Sequence, residues 1–238
     1  MDAILDWLYP PTCISCKVLF PLNAPERFVC DDCRGLFEPV AAPFCKCGAP
    51  TEAAVSNCTH CRGRKFYFSH NISAFTYDEL MSELINDMKF NSKKRIAQGL
   101  GLLWAKEYSG RATLPQADFI VPVPMHRKKQ SERGFNQAET ITIPLARALK
   151  IPMRLILRRV FDTIPQSEVH PSLRAENVKD IFEITNGEMV KGKKIILTDD
   201  IFTTGASLNE CAKALKKAGA SHVSCMTLAI SVKNNDNP

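Results

Sequence analysis

The sequence contains no long hydrophobic run, which excludes the usual kind of transmembrane helix. The longest apolar stretches in its 238 residues, such as residues 223–230, are interrupted by polar side chains. They fall short of the ~18 residues that cross a bilayer, so no membrane span is expected. The first residues also lack a basic segment followed by an apolar one, so no secretory signal peptide is expected. Together these absences predict a soluble, cytoplasmic protein.

Aromatic residues are also scarce, at 8% of the chain, whereas charged residues make up 24% and hydrophobic residues 45%. The last two values are ordinary for a globular protein, so a disordered tail, a collagen-like repeat and a coiled coil are excluded. The charge is unevenly distributed. Residues 1–70 carry seven basic and seven acidic side chains, so the net charge of +6 resides in the rest of the chain. A phosphate or nucleic-acid partner should therefore be attracted to the larger part.

Cysteine, in contrast, is abundant: eight of the ten cysteines lie within the first 61 residues. In a reducing compartment, close cysteine pairs favour a bound metal over disulfides. The first set has two residues within each pair and thirteen between the pairs, which is the spacing of a four-cysteine zinc ribbon. A redox dithiol, or thiols without metal, is the alternative. This set consists of Cys13, Cys16, Cys30 and Cys33.

The second set begins with a shorter pair, Cys45 and Cys47, and ends with Cys58 and Cys61. A single residue between ligands cannot form the usual knuckle turn, so its geometry is expected to differ. His60 could replace one thiolate, although a solvated loop histidine is the simpler interpretation, and pairing interleaved between the two sets is also open. We predict one or two structural zinc ions. Four protein ligands leave no open position for water, so neither ion should be catalytic.

Composition changes near residues 62–71, so we predict a double zinc-ribbon module over residues 1–65 and a second domain over residues 70–232. In the second domain, short apolar runs alternate with stretches of helical periodicity. This order predicts an α/β domain whose parallel sheet carries helices on its faces. Chelation of zinc is expected to unfold the first module and leave the second one folded. Pro144 should kink a helix over residues 138–149, or delay its start.

One predicted strand ends in two carboxylates and is followed by a short polar loop and a helix. The strand ends at Asp199 and Asp200, and the loop contains no proline, so every backbone N–H can point at an anion. A phosphate on the loop and ribose hydroxyls on the carboxylates would match a ribose 5-phosphate. The simpler alternative is that these residues only cap and solvate the helix. The loop consists of Thr203, Thr204, Gly205, Ala206 and Ser207.

This segment resembles the signature of type I phosphoribosyltransferases, which bind phosphoribosyl pyrophosphate (PRPP) with magnesium. Residues 88–90, 121–127, 133–137 and 166–178 are similar to the competence protein F (ComF) family, whose members join cysteine-rich ribbons to a phosphoribosyltransferase domain. The resemblance covers nearly the whole chain. It implies a type I phosphoribosyltransferase-like fold, and a role in DNA uptake for natural transformation.

The resemblance also implies roles for individual residues. The two carboxylates would hold the ribose and the loop would hold the 5-phosphate, while the turn after residue 121 would face the pyrophosphate. Magnesium would sit mainly on substrate oxygens, and nearby cations could stabilise the departing charge. The implied catalytic residues are Asp199, Asp200, Lys89, Arg127 and Arg133, and the implied substrate-binding residues are Val121, Pro122 and the loop from Thr203 to Ser207.

Two functions stay open. The first is a phosphoribosyltransferase that transfers ribose phosphate from PRPP to an unknown acceptor; no residue stands out as its general base. The second is a non-catalytic protein that binds single-stranded DNA through the same pocket, possible partners being the DNA-uptake machinery. It would use the basic run Arg127, Lys128, Lys129 and Arg133, although such a run is commonly just a solvated face. Single-strand binders add aromatic platforms to a cationic groove, and few aromatic residues accompany this run.

Overall fold

A sheet of four parallel strands forms the centre of the chain. A computed structural model describes residues 10–21, 24, 27–53, 55, 58, 61–90, 93–109, 116–160 and 181–231. The strands of the sheet are β1 (Asn71–Thr76), β2 (Phe119–Pro122), β5 (Lys194–Phe202) and β6 (His222–Ile230). They lie side by side in the order β1–β6–β5–β2. A separate antiparallel pair consists of β3 (Leu157–Arg159) and β4 (Phe182–Ile184).

Helices cover both faces of this sheet, which confirms the predicted α/β class. Strand β5 shows why: Ile195, Ile196 and Leu197 are consecutive and are each at most 1% exposed, so both of its faces are buried. Among the described residues, no helix has the length and apolar character needed to cross a membrane. The helices are α1 (Asp31–Arg34), α2 (Glu79–Phe90), α3 (Lys94–Ser109), α4 (Arg127–Arg133), α5 (Gln137–Leu149) and α6 (Ala206–Lys217).

The starts of two helices follow from capping side chains. Asp78 precedes α2 and its Oδ1 accepts from the amide of Met81 at 2.8 Å, as the side chain of a helix N-cap does. Asn136 precedes α5 and its Oδ1 accepts from the amide of Ala138 at 3.1 Å. Helix α5 then runs without interruption through Pro144, so the proline does not delay its start as one alternative had it. The helix begins at Gln137, before Pro144, because the side chain of Asn136 satisfies an amide in its first turn.

Strand β5 extends further than the sequence pattern indicated. The apolar run ends near Thr198, but pairing with β6 continues, with Ile201 opposite Ala229 and Phe202 opposite Ile230. The two acidic residues therefore lie inside the strand and not at its end. Side chains of consecutive strand residues point to opposite faces, so this difference decides where each carboxylate can act.

The two cysteine sets pack on opposite faces of the sheet. Cys13 and Cys33 of the first set, and Ile14 next to Cys13, share one apolar cluster with helices α2, α3 and α5. Cys45 and Cys61 of the second set share the other cluster with α6 and the β3–β4 pair. Contact with the first set is close: a Cβ built on Gly99 of α3 would lie 2.8 Å from Ile14 Cδ1. The N-terminal part therefore contributes to both hydrophobic cores of the sheet domain.

This shared packing changes the expected result of zinc removal. Chelation should lower the melting temperature of the whole chain by at least several degrees, because each ribbon covers apolar surface of the sheet domain. The measurement is thermal unfolding followed by the helical circular-dichroism signal, with and without a chelator. An unchanged helical transition would instead support the independent module predicted over residues 1–65.

A second prediction concerns the contact between α3 and α5. A Cβ built on Gly101 would lie 2.6 Å from the carbonyl oxygen of Ile141. Gly101→Ala should therefore lower the free energy of unfolding by about 1–2 kcal/mol, since overpacking outweighs the better helix propensity of alanine. Urea titration measures the change. Gly187→Ala is the control, because nothing lies within 4 Å of its Cβ position, and it should stay within about 0.5 kcal/mol of native.

Candidate functional site

The eight N-terminal cysteines form two separate groups whose members follow the order of the chain. In each group the four Sγ atoms lie within 4.8 Å of one another. Tetrahedral zinc with Zn–S bonds of ~2.3 Å needs sulfur atoms about 3.8 Å apart. The Sγ distances of 3.7 Å between Cys16 and Cys30 and of 3.6 Å between Cys47 and Cys58 fit that requirement. The pairing is not interleaved, and His60 lies outside the described residues.

The short pair Cys45 and Cys47 forms a knuckle that is one residue tighter than that of the first group. In the first group, the amide of Lys17 donates to the carbonyl oxygen of Cys13, and Lys17 has a φ of 65°. In the second group, the amide of Gly48 donates to the carbonyl oxygen of Cys45 at 2.8 Å, with a φ of 88°. Glycine tolerates this left-handed conformation without strain. The shorter spacing therefore still brings both sulfur atoms to one point.

Lys89, Asp200 and Arg133 come together from three elements at the carboxyl edge of the sheet. Lys89, near the end of α2, places Nζ 2.8 Å from Oδ2 of Asp200. Oδ1 of the same carboxylate accepts from the amide of Ile201 at 2.8 Å. Burial lowers the pKa of Arg133, at the end of α4, and the charge of Asp200 opposes this effect. The carboxylate of Asp200 is buried, and a buried charge needs a partner of opposite sign. Lys89 is its direct partner, and Arg133 is close enough for the two charges to interact.

Asp199 points to the opposite face of β5, towards α6. Burial, and after it the proximity of Asp199, raises the pKa of both Cys211 and Cys225, which lie between α6 and the sheet. Burial, and then the neighbouring charge of Asp200, raise the pKa of Asp199 to about 8. Arg159 on β3 lies close enough for its charge to oppose this rise. A carboxyl group with this pKa is largely protonated at neutral pH and can therefore donate a hydrogen bond as well as accept one.

The loop after β5 turns sharply at Gly205, directly before the first residue of α6. Gly205 has a φ of 73°, and a Cβ there would lie 2.6 Å from Cζ of Phe202. Only glycine fits both the conformation and the space. Thr203, Thr204, Ala206 and Ser207 are exposed around it. The loop thus presents hydroxyls and the amides of a helix N-terminus to solvent, as a phosphate-binding loop must.

The predicted pyrophosphate turn starts on β2, beside this loop. Val121 and Pro122 are buried opposite Leu197 and Thr198 of β5, so their side chains are not available to a ligand. Asn136 binds the backbone directly after this strand: its Nδ2 donates to the carbonyl oxygen of Val123 at 3.2 Å. Arg127 is exposed at the first position of α4. The stretch over residues 166–178, which is part of the resemblance to the ComF family, falls outside the described residues.

Two protein families match this chain. The double zinc ribbon domain matches residues 4–62, and the phosphoribosyl transferase domain matches residues 136–237. Competence protein F of Haemophilus influenzae is 29% identical over 91% of this chain and 96% of its own length. Competence protein ComFC of Bacillus subtilis is 29% identical over 90% of this chain and 89% of its own length. DNA utilization protein YhgH of Escherichia coli is 28% identical over 92% of this chain and 98% of its own length.

The chain is a homologue of the ComF proteins. It carries the two parts that the resemblance implied, a double zinc ribbon with two four-cysteine sites and a phosphoribosyltransferase domain. A solved phosphoribosylpyrophosphate amidotransferase from B. subtilis is also similar, at 22% identity and a TM-score of 0.38, over 55% of this chain and 25% of that one. That similarity is too distant to support any conclusion about the site.

Sequence reasoning missed three residues of this site. Arg159 affects the pKa of Asp199 from the small β3–β4 pair, which the periodicity did not indicate. Arg64 donates to the carbonyl oxygen of Thr204 in the loop at 2.9 Å, across 140 residues of sequence. Asn209 of α6 is bound to the backbone of residues 65–67. None belongs to a local motif, so only the tertiary structure could reveal them.

The raised pKa of Asp199 predicts how stability depends on pH. The folded protein keeps the Asp199 proton up to about pH 8, whereas the unfolded chain loses it near pH 4. This contribution to stability is complete below pH 4 and is lost as pH rises through the folded pKa. Asp199→Asn cannot ionise, so at pH 9 it should be more stable than the native protein, by on the order of 1 kcal/mol.

Urea titrations at pH 5, 7 and 9 would measure this difference. Glu188→Gln is the control, because Glu188 is an exposed carboxylate whose side chain is 88% accessible. The Asn variant and the native protein should converge at low pH. A difference between them that stayed constant from pH 5 to pH 9 would contradict the raised pKa.

Proposed function

We propose that this protein binds PRPP, or a related ribose 5-phosphate, at the carboxyl edge of the sheet and acts in DNA uptake for natural transformation. The observation that carries the first part is the Gly205 turn between β5 and α6, which lies five residues beyond the buried Asp200 on the same strand-to-helix connection. Ligands of open α/β sheets bind at this edge. The names of the relatives, competence protein and DNA utilization protein, support the second part.

Each part of the ligand has a suitable partner at this edge. The 5-phosphate would lie on the loop from Thr203 to Ser207, where the N-terminus of α6 favours negative charge. The ribose hydroxyls would bond to the carboxylate of Asp200, on the face of β5 that also meets Lys89. The pyrophosphate would face Lys89 and Arg133, the two cations beside Asp200.

The residues at the site fit magnesium as part of the substrate more than as a resident ion. Oδ2 of Asp200 is already paired with Lys89, and Oδ1 accepts the amide of Ile201. A metal carried by pyrophosphate oxygens would supply neutralisation of the leaving group when bound. The protein's own contribution is then to orient the ribose and to stabilise the developing charge with Lys89 and Arg133.

As an enzyme, the protein would catalyse a displacement at the anomeric carbon of PRPP. The bond from this carbon to the pyrophosphate oxygen breaks and leaves its electron pair on pyrophosphate. A bond to a nucleophilic atom of the acceptor forms, and the acceptor loses a proton to solvent. The ion pair between Lys89 and Asp200 provides a preorganised site for this step, because Nζ and Oδ2 already lie 2.8 Å apart.

Calorimetric titration with magnesium–PRPP tests the binding proposal. The Asp199→Asn/Asp200→Asn double variant should bind at least about 100-fold more weakly than the native protein, because it loses the carboxylate that accepts from the ribose hydroxyls and the acidic neighbour beside it. Glu183→Gln/Glu188→Gln is the matched control, since it removes two negative charges at side chains that are 51% and 88% accessible. It should bind as the native protein does.

No binding to folded, zinc-loaded native protein would contradict the PRPP site and would make a non-catalytic DNA-binding role the better proposal. Anisotropy of labelled single-stranded DNA, measured across a salt series, examines that role. DNA binding that falls steeply with salt but survives the double substitution would support it, because counterion release does not need the carboxylates.

A further inference from the structure

The segment that leaves the second zinc ribbon is bound directly to the phosphate loop. This segment begins at Cys61, a member of the second cysteine group, where the amide of Arg64 donates to the Cys61 carbonyl oxygen at 3.1 Å. Nη1 of Arg64 then donates to the carbonyl oxygen of Thr204 at 2.9 Å. The cation of Arg64 thus lies at the loop although its position in sequence belongs to the ribbon.

This hydrogen bond orients one peptide group of the loop. In a trans peptide the C=O and N–H groups point in opposite directions. Because Arg64 binds the carbonyl oxygen of Thr204, the amide of Gly205 in the same peptide must point away from Arg64. Gly205 has a φ of 73° and could rotate more freely than any other residue of the loop. Fixing the carbonyl group of Thr204 therefore restricts backbone rotation at Gly205, the residue of the loop that could otherwise rotate most freely.

Two further contacts from the same segment flank the loop. The ring of Phe66 packs against Phe202 with ring centroids 6.2 Å apart, and lies 3.4 Å from the Cβ position of Gly205. The side chain of Asn209, in the first turn of α6, accepts from the amide of Tyr67 at 2.7 Å and donates to the carbonyl oxygen of Lys65 at 3.1 Å. Consecutive residues of the ribbon segment therefore contact the loop before, at and after its turn.

We propose that Arg64 is a positioning residue of the phosphate loop, through which the second zinc ribbon organises the site for a 5-phosphate. Arg64 acts through the Thr204–Gly205 peptide and adds positive charge beside the bound anion. An isolated hydrogen bond on an exposed arginine would contribute little. Here the Phe66 and Asn209 contacts hold the backbone of Arg64, so less freedom is lost when its side chain binds the loop. The identity of the ligand rests on the proposed function, whereas the positioning role does not.

Calorimetry with ribose 5-phosphate tests the effect on binding. Arg64→Ala should weaken binding about tenfold, because a charge-assisted hydrogen bond that orders the loop is lost. Arg64→Lys keeps the charge and one donor, and should recover most of that loss. Arg62→Ala is the matched control: it removes the same charge from an exposed residue two positions away and should bind within about twofold of native. Magnesium pyrophosphate, which lacks a 5-phosphate, should bind Arg64→Ala and native protein equally.

Hydrogen exchange provides the readout that does not depend on any ligand. In Arg64→Ala, amides of residues 203–209 should exchange at least about fivefold faster than in native protein, while β1 and β6 stay unchanged. Arg62→Ala should leave the loop amides unaffected.

The possible outcomes separate the two proposals. If native protein binds no ribose 5-phosphate but the loop amides of Arg64→Ala exchange faster, the PRPP site is wrong and the positioning role is retained. If ribose 5-phosphate binds native protein and Arg64→Ala equally, or if loop exchange matches that of Arg62→Ala, the positioning role is overturned. Equal weakening of ribose 5-phosphate and magnesium pyrophosphate would also overturn it, because a general loss of structure would then explain the effect.

Discussion

Strand β5 carries apolar side chains on both faces, so both faces must be covered. This requirement explains how most of the other elements are arranged. The apolar residues of β5 alternate between two hydrophobic clusters, one with α2, α3 and α5 and the other with α6 and the β3–β4 pair. Each cluster is completed by one zinc ribbon. The helices and ribbons are therefore needed to exclude water from one central strand, and apolar burial of this kind is the main favourable term in folding. The same strand carries Asp199 and Asp200 and leads directly into the phosphate loop.

The constraint on β5 also separates the chemistry of its two carboxylates. Consecutive residues of a strand face opposite sides, so Asp200 meets Lys89 and Arg133 while Asp199 turns towards α6. Asp200 forms an ion pair with Lys89, whereas burial beside a like charge raises the pKa of Asp199 to about 8. Two adjacent residues of the same type thus have different surroundings. A carboxyl group that keeps its proton, as Asp199 does at neutral pH, can donate a hydrogen bond as well as accept one.

Much of the candidate site could be predicted from local sequence because its elements are local. The spacing of Cys13, Cys16, Cys30 and Cys33 indicated a metal group, since zinc fixes the geometry of its ligands. The polar loop around Gly205 indicated an anion site because it joins a strand to a helix. Lys89 entered only through resemblance to a family, and Arg64 was not indicated at all. Their contacts with Asp200 and Thr204 join residues that are far apart in sequence, which no periodicity or spacing records.

The sequence by itself determined the classes of structure: two four-cysteine groups, an α/β domain with a parallel sheet, and a loop suited to phosphate. These follow from metal geometry, from the alternation of apolar runs and from backbone chemistry, all of which act over short distances. Only the tertiary structure decided that the ribbons cover opposite faces of the sheet, that Gly48 closes a tighter knuckle, and that the second ribbon contacts the phosphate loop. Those features depend on which surfaces remain to be buried once the sheet has formed, and that is a property of the whole chain.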